Sequence, residues 1–126
     1  MTDVIVADPE NKCNLYRGKR TSVRAIVTVQ ANADMPEVKL PLRLDLRSHS
    51  PDGFEWGYGG SGPAQLALAI LAHEYDDHTA EYFYQDFKWE VISQLPKDEW
   101  ALSSEQIAAA MLEISRELAG SQLVVA

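Results

Sequence analysis

The chain has 126 residues, of which 46% are hydrophobic and 24% charged, and its formal net charge at pH 7 is −8. This length and composition are typical of a single globular domain over residues 1–126, with 1–14 and 121–126 peripheral or mobile, and they exclude a disordered chain. The single cysteine, Cys13, excludes a disulfide framework, and no apolar run approaches the roughly 20 residues that span a bilayer. Since the sequence also starts unlike a signal peptide, we expect a cytoplasmic protein without membrane contact.

The first predicted elements are short strands. Residues 3–7 (DVIVA) are apolar and β-branched enough to form one. Residues 15–16 (LY) are predicted to end a second strand before a basic turn at 17–20 (RGKR). The alternation of residues 23–30 predicts a third strand that buries its valines.

Residues 38–46 show the cleanest alternation of the chain. One face would carry five apolar side chains, namely Val38, Leu40, Leu42, Leu44 and Leu46. This pattern predicts a strand with one buried and one wet face, as in an antiparallel sheet that is covered on one side. Pro41 cannot donate to a ladder, so the strand should lie at an edge or carry a bulge, which leaves a homodimer open.

An aromatic row follows at residues 54–58. Phe54, Trp56 and Tyr58 alternate with Glu55 and Gly57, which predicts a short strand with three rings on one face. Such rings either stack on a base, as in nucleotide binders, or belong to the core. The core interpretation is favoured, and the ligand interpretation gains weight if arginines of the preceding strand project to the same side.

A glycine-rich loop at 59–62 (GGSG) connects this row to a predicted buried helix at 64–73. Pro63 suits the first helical position, with Ser61 or Gly62 as the cap before it. Backbone amides at a helix N-terminus attract anions, so the loop is a candidate site. The predicted ligand-binding residues are Arg43, Arg47, Trp56, Tyr58, Gly60, Ser61, Gly62 and Ala64. The alternative is that the glycines only allow strand and helix to pack closely.

Two more helices are predicted. After a polar corner at 73–78, residues 80–95 carry a helical stripe that Pro96 ends. Residues 103–106 (SSEQ) fit a capping box that starts the third helix, and Gly120 is expected to end it. Strands before helices predict an α+β fold, with an antiparallel sheet of about three to five strands and about three helices packed on one face.

Charge is unevenly distributed and gives the second functional interpretation. Residues 1–50 hold 8 Lys/Arg and 6 Asp/Glu, a balance of +2, whereas residues 51–126 hold 3 and 13, a balance of −10. This excess disfavours nucleic-acid binding. It could instead occupy a basic groove on a host nuclease or regulator, or simply keep the surface soluble. The interface residues of this alternative are Asp76, Asp77, Glu81, Asp86 and Glu90.

Metal binding and catalysis have little support. His73, Asp77 and His78 have only loose ligand spacing, so we predict neither a metal nor a cofactor. Cys13 lacks an evident base and His49 lacks a nucleophile-elbow context. The sequence leaves the enzyme question open but favours a non-enzymatic role.

The run PDGFEWGYGGSGPAQLALAIL at 51–71, with YRG and PLRLDLRSHS upstream, resembles a small domain family of unknown function that occurs in phages, plasmids and bacterial genomes. The resemblance implies a mobile-element accessory protein, placed in the host cytoplasm if phage-encoded, and such proteins often counter a host defence. It implies no catalytic residue. The first hypothesis is therefore a binder of an anionic small ligand, with a nucleotide as the leading candidate, and the alternative is the acidic protein-binding inhibitor.

Overall fold

The computed structural model describes residues 13–125 and has an α+β fold, which confirms the predicted class. Four strands form one antiparallel sheet, and three α-helices and one 3-10 helix complete the described residues. The elements in chain order are β1 (Leu15–Arg20), β2 (Ala25–Gln30), β3 (Glu37–Lys39), α1 (Ser61–Glu74), α2 (Asp77–Glu90), the 3-10 helix (Ile92–Gln94), β4 (Glu99–Ser103) and α3 (Ser104–Val125). The predicted strand at 3–7 lies outside the described residues, as does most of the segment 1–14.

The sheet has the strand order β3-β2-β1-β4. Burial alternates along the strands because successive side chains point to opposite faces. On the inner face, Tyr16 of β1 lies between Val29 of β2 and Leu102 of β4, and all three are buried. On the outer face, Arg17 and Lys19 are exposed. The sheet therefore has one face for the core and one for solvent.

The predicted basic turn at 17–20 is wrong, because β1 continues through these residues. Arg17 is paired with Thr28 of β2 on one side and with Ala101 of β4 on the other. A strand with a partner on both sides satisfies its backbone groups, and this pairing overrides the local turn signal. The strand predicted at 23–30 is shorter than expected, since β2 begins at Ala25 and Val23 is 82% exposed in the preceding turn.

A buried polar cluster joins the sheet to the end of α1. The hydroxyl of Tyr16 donates to Glu74 Oε1 at 2.8 Å and lies 2.8 Å from His73 Nδ1. The side-chain amide of Asn14 donates to the same Glu74 oxygen at 3.0 Å. Burial and the Glu74 carboxylate raise the pKa of Tyr16 above its ordinary value, so the phenol stays a donor.

Helix α1 is the centre of the molecule. Its residues from Gly62 to Ala72 are all buried, and six consecutive side chains from Leu66 to Leu71 have no exposed surface. A helix that is apolar on all sides needs cover on all sides. Helix α2 packs along it, and the sheet and the loop before it supply the rest of the core. This confirms the predicted buried helix.

The long strand predicted at 38–46 is wrong. Only Glu37–Lys39 form a strand, and the chain then leaves the sheet. Pro41 removes a ladder donor, and Arg43 has a φ of 59°, which no strand can contain. The predicted buried face is accordingly broken, because Val38 and Leu44 are exposed while Leu40 is buried.

A single side chain of α1 organises this loop instead. Gln65 is fully buried, and its amide group donates to the carbonyls of Leu42 and Arg47 at 2.7 and 3.0 Å. Its carbonyl oxygen accepts from the backbone N–H groups of His49 and Ser50 at 2.7 and 3.0 Å. These bonds satisfy the loop's backbone in the way a neighbouring strand would otherwise do.

The aromatic row at 54–58 is not a strand. Trp56 is fully buried and Phe54 nearly so, and the N–H of Gly57 donates to Ile92 of the 3-10 helix at 3.0 Å. The segment therefore has no regular secondary structure and packs in the core between α1 and the end of α2. Tyr58 alone of the three rings is exposed.

The helix boundaries differ from the prediction by up to five residues. Gly60 precedes α1 as its N-cap, so Pro63 is the third helical residue. Helix α2 spans Asp77–Glu90 where 80–95 was predicted, and the 3-10 helix Ile92–Gln94 uses the remainder before Pro96. The chain turns between α1 and α2 in two residues.

The last two elements form a continuous unit. Strand β4 is absent from the sequence prediction, and it leads directly into α3. The predicted capping box is confirmed, since the N–H of Gln106 donates to Ser103 Oγ at 3.1 Å and the N–H of Ser103 donates to Gln106 Oε1 at 2.9 Å. Gly120 does not end the helix, which continues to Val125 through most of the predicted peripheral segment.

Candidate functional site

The glycine loop ends in a helix N-terminus without a cap. Helix α1 has no side-chain hydrogen bond at its N-cap and no acidic residue in its first turn. The N–H of Ala64 donates to Gly60 O at 3.0 Å, which is the first bond of the helix, and Pro63 has no N–H. Two donors remain, the N–H groups of Ser61 and Gly62, and no acceptor for either is found among residues 13–125. Ser61 is exposed.

Two aromatic rings lie against this loop. A Cβ at Gly59 would lie 2.2 Å from the benzo edge of Trp89, and a Cβ at Gly60 would lie 2.6 Å from the ring of Tyr58. Consecutive glycines are therefore required for both rings to approach the backbone. Both rings also remain open to solvent, with Trp89 58% and Tyr58 47% exposed.

A lysine lies over each ring. Lys97 Nζ is 5.9 Å from the centroid of Tyr58, and Lys88 Nζ is 4.4 Å from the centroid of Trp89. Cation–π contacts of this kind attract the ammonium to the ring but satisfy none of its hydrogen-bond donors. The loop is thus bordered by two rings and two positive charges.

Lys88 is the unusual member of this group, because only 8% of it is exposed. Within residues 13–125 no carboxylate oxygen lies within 4 Å of its ammonium and no side chain or carbonyl accepts a hydrogen bond from it. The packed part of Lys88 is its aliphatic stem, because the ammonium is not one of the buried polar atoms that lack a partner. The structure therefore brings an unpaired cation and an uncapped helix N-terminus to the two sides of one indole ring.

The two predicted arginines lie elsewhere. Arg43 Nη2 contacts Asp45 at 3.0 Å and Asp77 at 3.1 Å, and Arg47 Nη2 contacts Glu81 at 3.3 Å. The two acidic partners hold the pKa of Arg43 above its ordinary value. Asp77 is 12 residues before Trp89 on α2, or about 18 Å along the helix. The arginines thus bind the first half of α2, and the glycine loop meets its last turn.

Trp56 is also placed outside the loop surface. Its Nε1 donates to the carbonyl of Lys97 at 2.9 Å, Arg20 Cζ lies 4.8 Å from its ring, and Trp100 meets it edge-on. Trp56 is buried and these contacts are all with other residues of the protein, so it is a packing residue of the core. Of the predicted ligand set, the structure assembles Tyr58, Gly60, Ser61 and Gly62, with Ala64 just inside the helix.

The acidic residues of the alternative interface do not share one side of α2. Asp77 and Glu81 lie nine residues before Asp86 and Glu90, respectively, which is about 180° around a helix. The first pair is exposed but bonded to arginines, whereas the second pair faces solvent. Asp76 precedes the helix, and its carboxylate accepts from the N–H of Thr79 at 2.7 Å. A single continuous acidic face is therefore not formed by these five residues.

Sequence reasoning missed Trp89, Lys88 and Lys97. A signal was present, because residues 51–126 contain only three basic residues, Lys88, Lys97 and Arg116, and two of them lie over aromatic rings. Basic residues in an otherwise acidic half of a chain are candidates for a functional role. Trp89 follows Lys88 directly at the end of α2.

No group of three His, Cys, Asp or Glu residues among 13–125 is arranged to hold a metal ion. His49 Nε2 lies 2.8 Å from the Tyr84 hydroxyl in a partly buried contact, and Cys13 is an exposed free thiol. Within the same range, no helix has the length and apolarity that crossing a bilayer requires.

A separate cleft of about 590 Å³ lies on the outer face of the sheet. Arg17, Lys19 and Thr28 line it together with Glu37 and Glu99. Its charges are mixed and exposed, and Arg17 already lies 3.7 Å from Glu37. No residue of the glycine loop contributes to this cleft.

Comparison with known proteins identifies a family for most of the chain. Residues 16–113 match the model of DUF6166, a family of unknown function. No curated protein and no solved structure shows a significant match. The matched range includes every residue of the surface around the glycine loop.

Proposed function

Because the chain belongs to DUF6166, a family of unknown function, we propose its function from the geometry of the glycine loop: the protein binds a small anionic ligand there without turning it over. The binding surface would consist of the N–H groups of Ser61 and Gly62, the rings of Tyr58 and Trp89, and the ammonium group of Lys88. Each of these groups is either a donor, a cation or a ring, and together they suit a phosphate-bearing or carboxylate-bearing molecule.

The observation that carries the proposal is the unpaired charge of Lys88. The aliphatic stem of Lys88 is packed, while its ammonium reaches solvent with a ring contact and no carboxylate partner among the described residues, so it can pair with an anion. The N-terminus of α1, which lies against the same ring through Gly59, carries roughly half a positive charge. An anion at the loop would offset both positive charges at once.

We propose a biological role by analogy with mobile-element domains. A non-enzymatic binder in a host cytoplasm could sequester an anionic signal molecule of a defence system. In that role the protein needs affinity and slow release, and it needs no nucleophile or base.

Thermal unfolding and calorimetry with inorganic phosphate, pyrophosphate and ADP test the proposal. A ligand at 100 times its dissociation constant should raise the free energy of unfolding by about 2.7 kcal/mol. In the variant Lys88→Met, which keeps the side-chain volume and removes the charge, we expect affinity to fall at least about tenfold. The ligand-free variant should be about as stable as the wild type, since the packed stem keeps its volume and no ion pair is lost.

Lys19→Met is the matched control, because Lys19 is exposed on the outer face of the sheet. It should bind as the wild type does. The proposal fails if none of the three anions stabilises the protein, or if both lysine variants reduce binding equally. The second outcome would indicate a general effect of net charge.

A second candidate is a protein-binding surface on the outer side of α2. Tyr82 is 66% exposed, and it shares a side of the helix with Asp86 and Trp89 at positions i, i+4 and i+7. Exposed aromatic anchors at this spacing are typical of helix-mediated recognition. We propose this surface as the place where an acidic inhibitor would contact a basic host protein.

The variant Tyr82→Ala separates the two candidates. It should leave the binding of pyrophosphate and ADP unchanged and abolish salt-sensitive capture of a host protein from lysate. If capture survives this change and is insensitive to salt, the protein-binding candidate is contradicted.

A further inference from the structure

We infer that the open edge of β4 pairs with the same edge of a second copy of the chain, which gives a symmetric dimer with one continuous sheet. This inference goes beyond the proposed function, because no residue of the glycine loop takes part in the contact. The sequence leaves a homodimer open at the strand with Pro41. The edge of β4 lies on the opposite side of the sheet, because β3 and β4 are its two outer strands.

The main-chain groups of β4 point alternately toward β1 and away from it. The N–H of Arg20 in β1 donates to the carbonyl of Asp98 at 2.9 Å, so this carbonyl and, two residues on, the N–H and C=O of Trp100 point to β1. The N–H and C=O groups of Glu99 and Ala101 therefore point away from the sheet. Within residues 13–125 none of these four groups has a hydrogen-bond partner.

The edge of β4 is open to solvent at these residues. Ala101 is exposed, and because its side chain is a single carbon, its exposure means that the strand itself can be reached. The indole of Trp100 leans away from the edge and over Gly18 of β1, where a Cβ would lie 2.2 Å from its Nε1. This position leaves Nε1 buried without a partner among the described residues. It also keeps the ring off the edge, which is thus free for another strand.

The other edge of the sheet is protected in ways that β4 lacks. Strand β3 has only three residues, of which two are charged, and Pro41 follows it closely. Short length, charged side chains and proline are features that prevent edge strands from pairing with other chains. Strand β4 has five residues and a single charge, on Glu99. An added strand is therefore expected at β4.

A second copy of β4 fits this edge in one antiparallel register. In that register Glu99 lies opposite Ala101 of the partner, and the two-fold axis passes between the two Trp100 residues. All free main-chain groups of both chains are then used, and they form four hydrogen bonds. The side chain opposite each glutamate is a methyl group, so no like charges meet.

The two registers shifted by two residues are less favourable. One of them places Glu99 directly opposite Glu99 of the partner, and like charges in this position are destabilising. The other requires the N–H of Ser103, which already donates to Gln106 Oε1 at 2.9 Å. The free groups of the edge are therefore complementary to themselves in a single arrangement.

Charges on the outer face of the sheet also match across the junction. Arg17 is paired with Ala101, so the partner's Arg17 would lie one strand beyond the alanine that faces Glu99. Two strand spacings are about 9.6 Å, a separation that two long side chains can span above a methyl group. Arg17 is about half exposed, and its ion pair with Glu37 is long, at 3.7 Å. The symmetric contact thus brings a carboxylate toward a guanidinium twice.

Sedimentation equilibrium over a range of protein concentrations tests the inference. The interface is one short strand edge from each chain, and small interfaces are typical of transient association, so we expect a dissociation constant that is roughly micromolar or weaker. Ala101→Glu places a carboxylate opposite Glu99 in both pairs and should raise the dissociation constant roughly 2- to 30-fold. The double variant Glu99→Lys/Ala101→Glu places opposite charges in both pairs and should restore the wild-type value.

Ala119→Glu is the matched control, because it makes the same change at an exposed alanine of α3. It should dimerise as the wild type does. Amide hydrogen exchange gives a second measurement that needs no variant. The N–H groups of Glu99 and Ala101 should exchange more slowly as the dimer fraction rises, whereas the N–H of Lys39 on the opposite edge should not change.

A chain that stays monomeric at every concentration, with constant exchange at Glu99 and Ala101, overturns the inference. A dimer that Ala101→Glu leaves intact also overturns it, because the interface then lies elsewhere. If these two amides slow only when a peptide of alternating threonine and valine is added, the edge serves another partner and the second copy is excluded. None of these outcomes involves anion binding, so the proposed function is tested separately.

Discussion

The N-termini of α1 and α2 are built in opposite ways. Helix α2 is capped by the carboxylate of Asp76 and carries Asp77 in its first turn, and Arg43 binds Asp77 from outside. Helix α1 begins at Gly60 with no capping side chain and no acid in its first turn. The positive charge at the N-terminus of α2 is thus neutralised by neighbouring acidic residues of the chain.

This difference indicates that the N-terminus of α2 has a purely structural role. The capped end of α2 has the N–H of Thr79 satisfied and acidic residues beside its dipole, so less is gained there by binding an anion. The uncapped end keeps two donors, and Lys88 adds a charge of the same sign close by. One acid does lie next to α1, because Glu55 packs against Gly62, but its carboxylate is held by Arg20 at 2.8 and 3.0 Å.

The largest effect is expected from Gly62→Ala at the start of α1. A Cβ there would lie 2.6 Å from the Cβ of Glu55 and 3.1 Å from its backbone nitrogen, neither of which can move away freely. We expect the free energy of unfolding in urea to fall by about 1–3 kcal/mol. Gly120→Ala in α3 is the control, because nothing lies within 4 Å of a Cβ at that position. It should gain about 0.5–1 kcal/mol, and a gain at both sites would contradict the close packing of Gly62 against Glu55.

The second-largest effect on stability is expected at the capped N-terminus of α2. Asp76→Ala removes the acceptor for the N–H of Thr79 and should lower the melting temperature, whereas Asp76→Asn keeps an acceptor and should preserve most of it. Hydrogen bonds from Thr79 lower the pKa of Asp76. Its stabilisation is therefore present above the unfolded value of about 3.9 and is lost as pH falls through the lower folded value. Melting curves at neutral and acidic pH should show the difference between wild type and Asp76→Ala shrinking in acid.

A smaller effect is expected from a substitution that makes the N-terminus of α1 resemble that of α2. Ser61→Asp places an acid in the first turn of α1, where it should stabilise the helix by about 0.3–1 kcal/mol. The same charge would occupy the place of an anion, so ADP affinity should fall by about tenfold or more. Ser115→Asp, in the exposed middle of α3, should change neither quantity appreciably. If Ser61→Asp stabilises the protein and leaves ADP binding intact, the ligand does not use this helix end.

The smallest effect at neutral pH is expected from Glu55→Gln. Hydrogen bonds from Arg20 lower the pKa of Glu55, so its contribution is present above the unfolded value of about 4.3 and is lost as pH falls through the folded one. The pair is about one-third exposed, which limits its value at pH 7 to less than about 1 kcal/mol. Glu55→Gln should flatten the loss of stability below about pH 4.5, measured by urea unfolding across pH. Glu113→Gln, without an ion pair among residues 13–125, should keep the wild-type slope.

The features that the sequence predicted correctly depend on local signals. The capping box at Ser103 and Gln106 involves residues three apart, and the buried helix is marked by its uninterrupted apolar composition. Such signals can be read without knowing which parts of the chain meet. The α+β class followed from the order of these elements.

The wrong strand at 38–46 shows the limit of periodicity. Its alternation is real, but the partner that decides its conformation is Gln65, a residue about twenty positions later in the chain. Nothing in the local pattern reveals that a helix side chain, and not a strand, will satisfy its backbone. Pro41 was the one local hint.

The site was predictable in part. The glycine loop and Tyr58 were found because they are contiguous, whereas Trp89 is 30 residues beyond Gly59 and reaches it only because α1 and α2 fold back on each other. The same antiparallel pairing takes Arg43 and Arg47 to the other end of α2. Their placement could not follow from strand alternation once the strand itself was absent.

The hydrogen bonds of Gln65 have a consequence for how sequences with this fold can diverge. All four of its bonds end on main-chain groups, which every amino acid possesses. The segment it fixes can therefore exchange most of its exposed side chains without losing its shape, as long as the glutamine stays. A substitution to glutamate would keep the size but reverse two donors into acceptors, and the whole segment would detach as a unit.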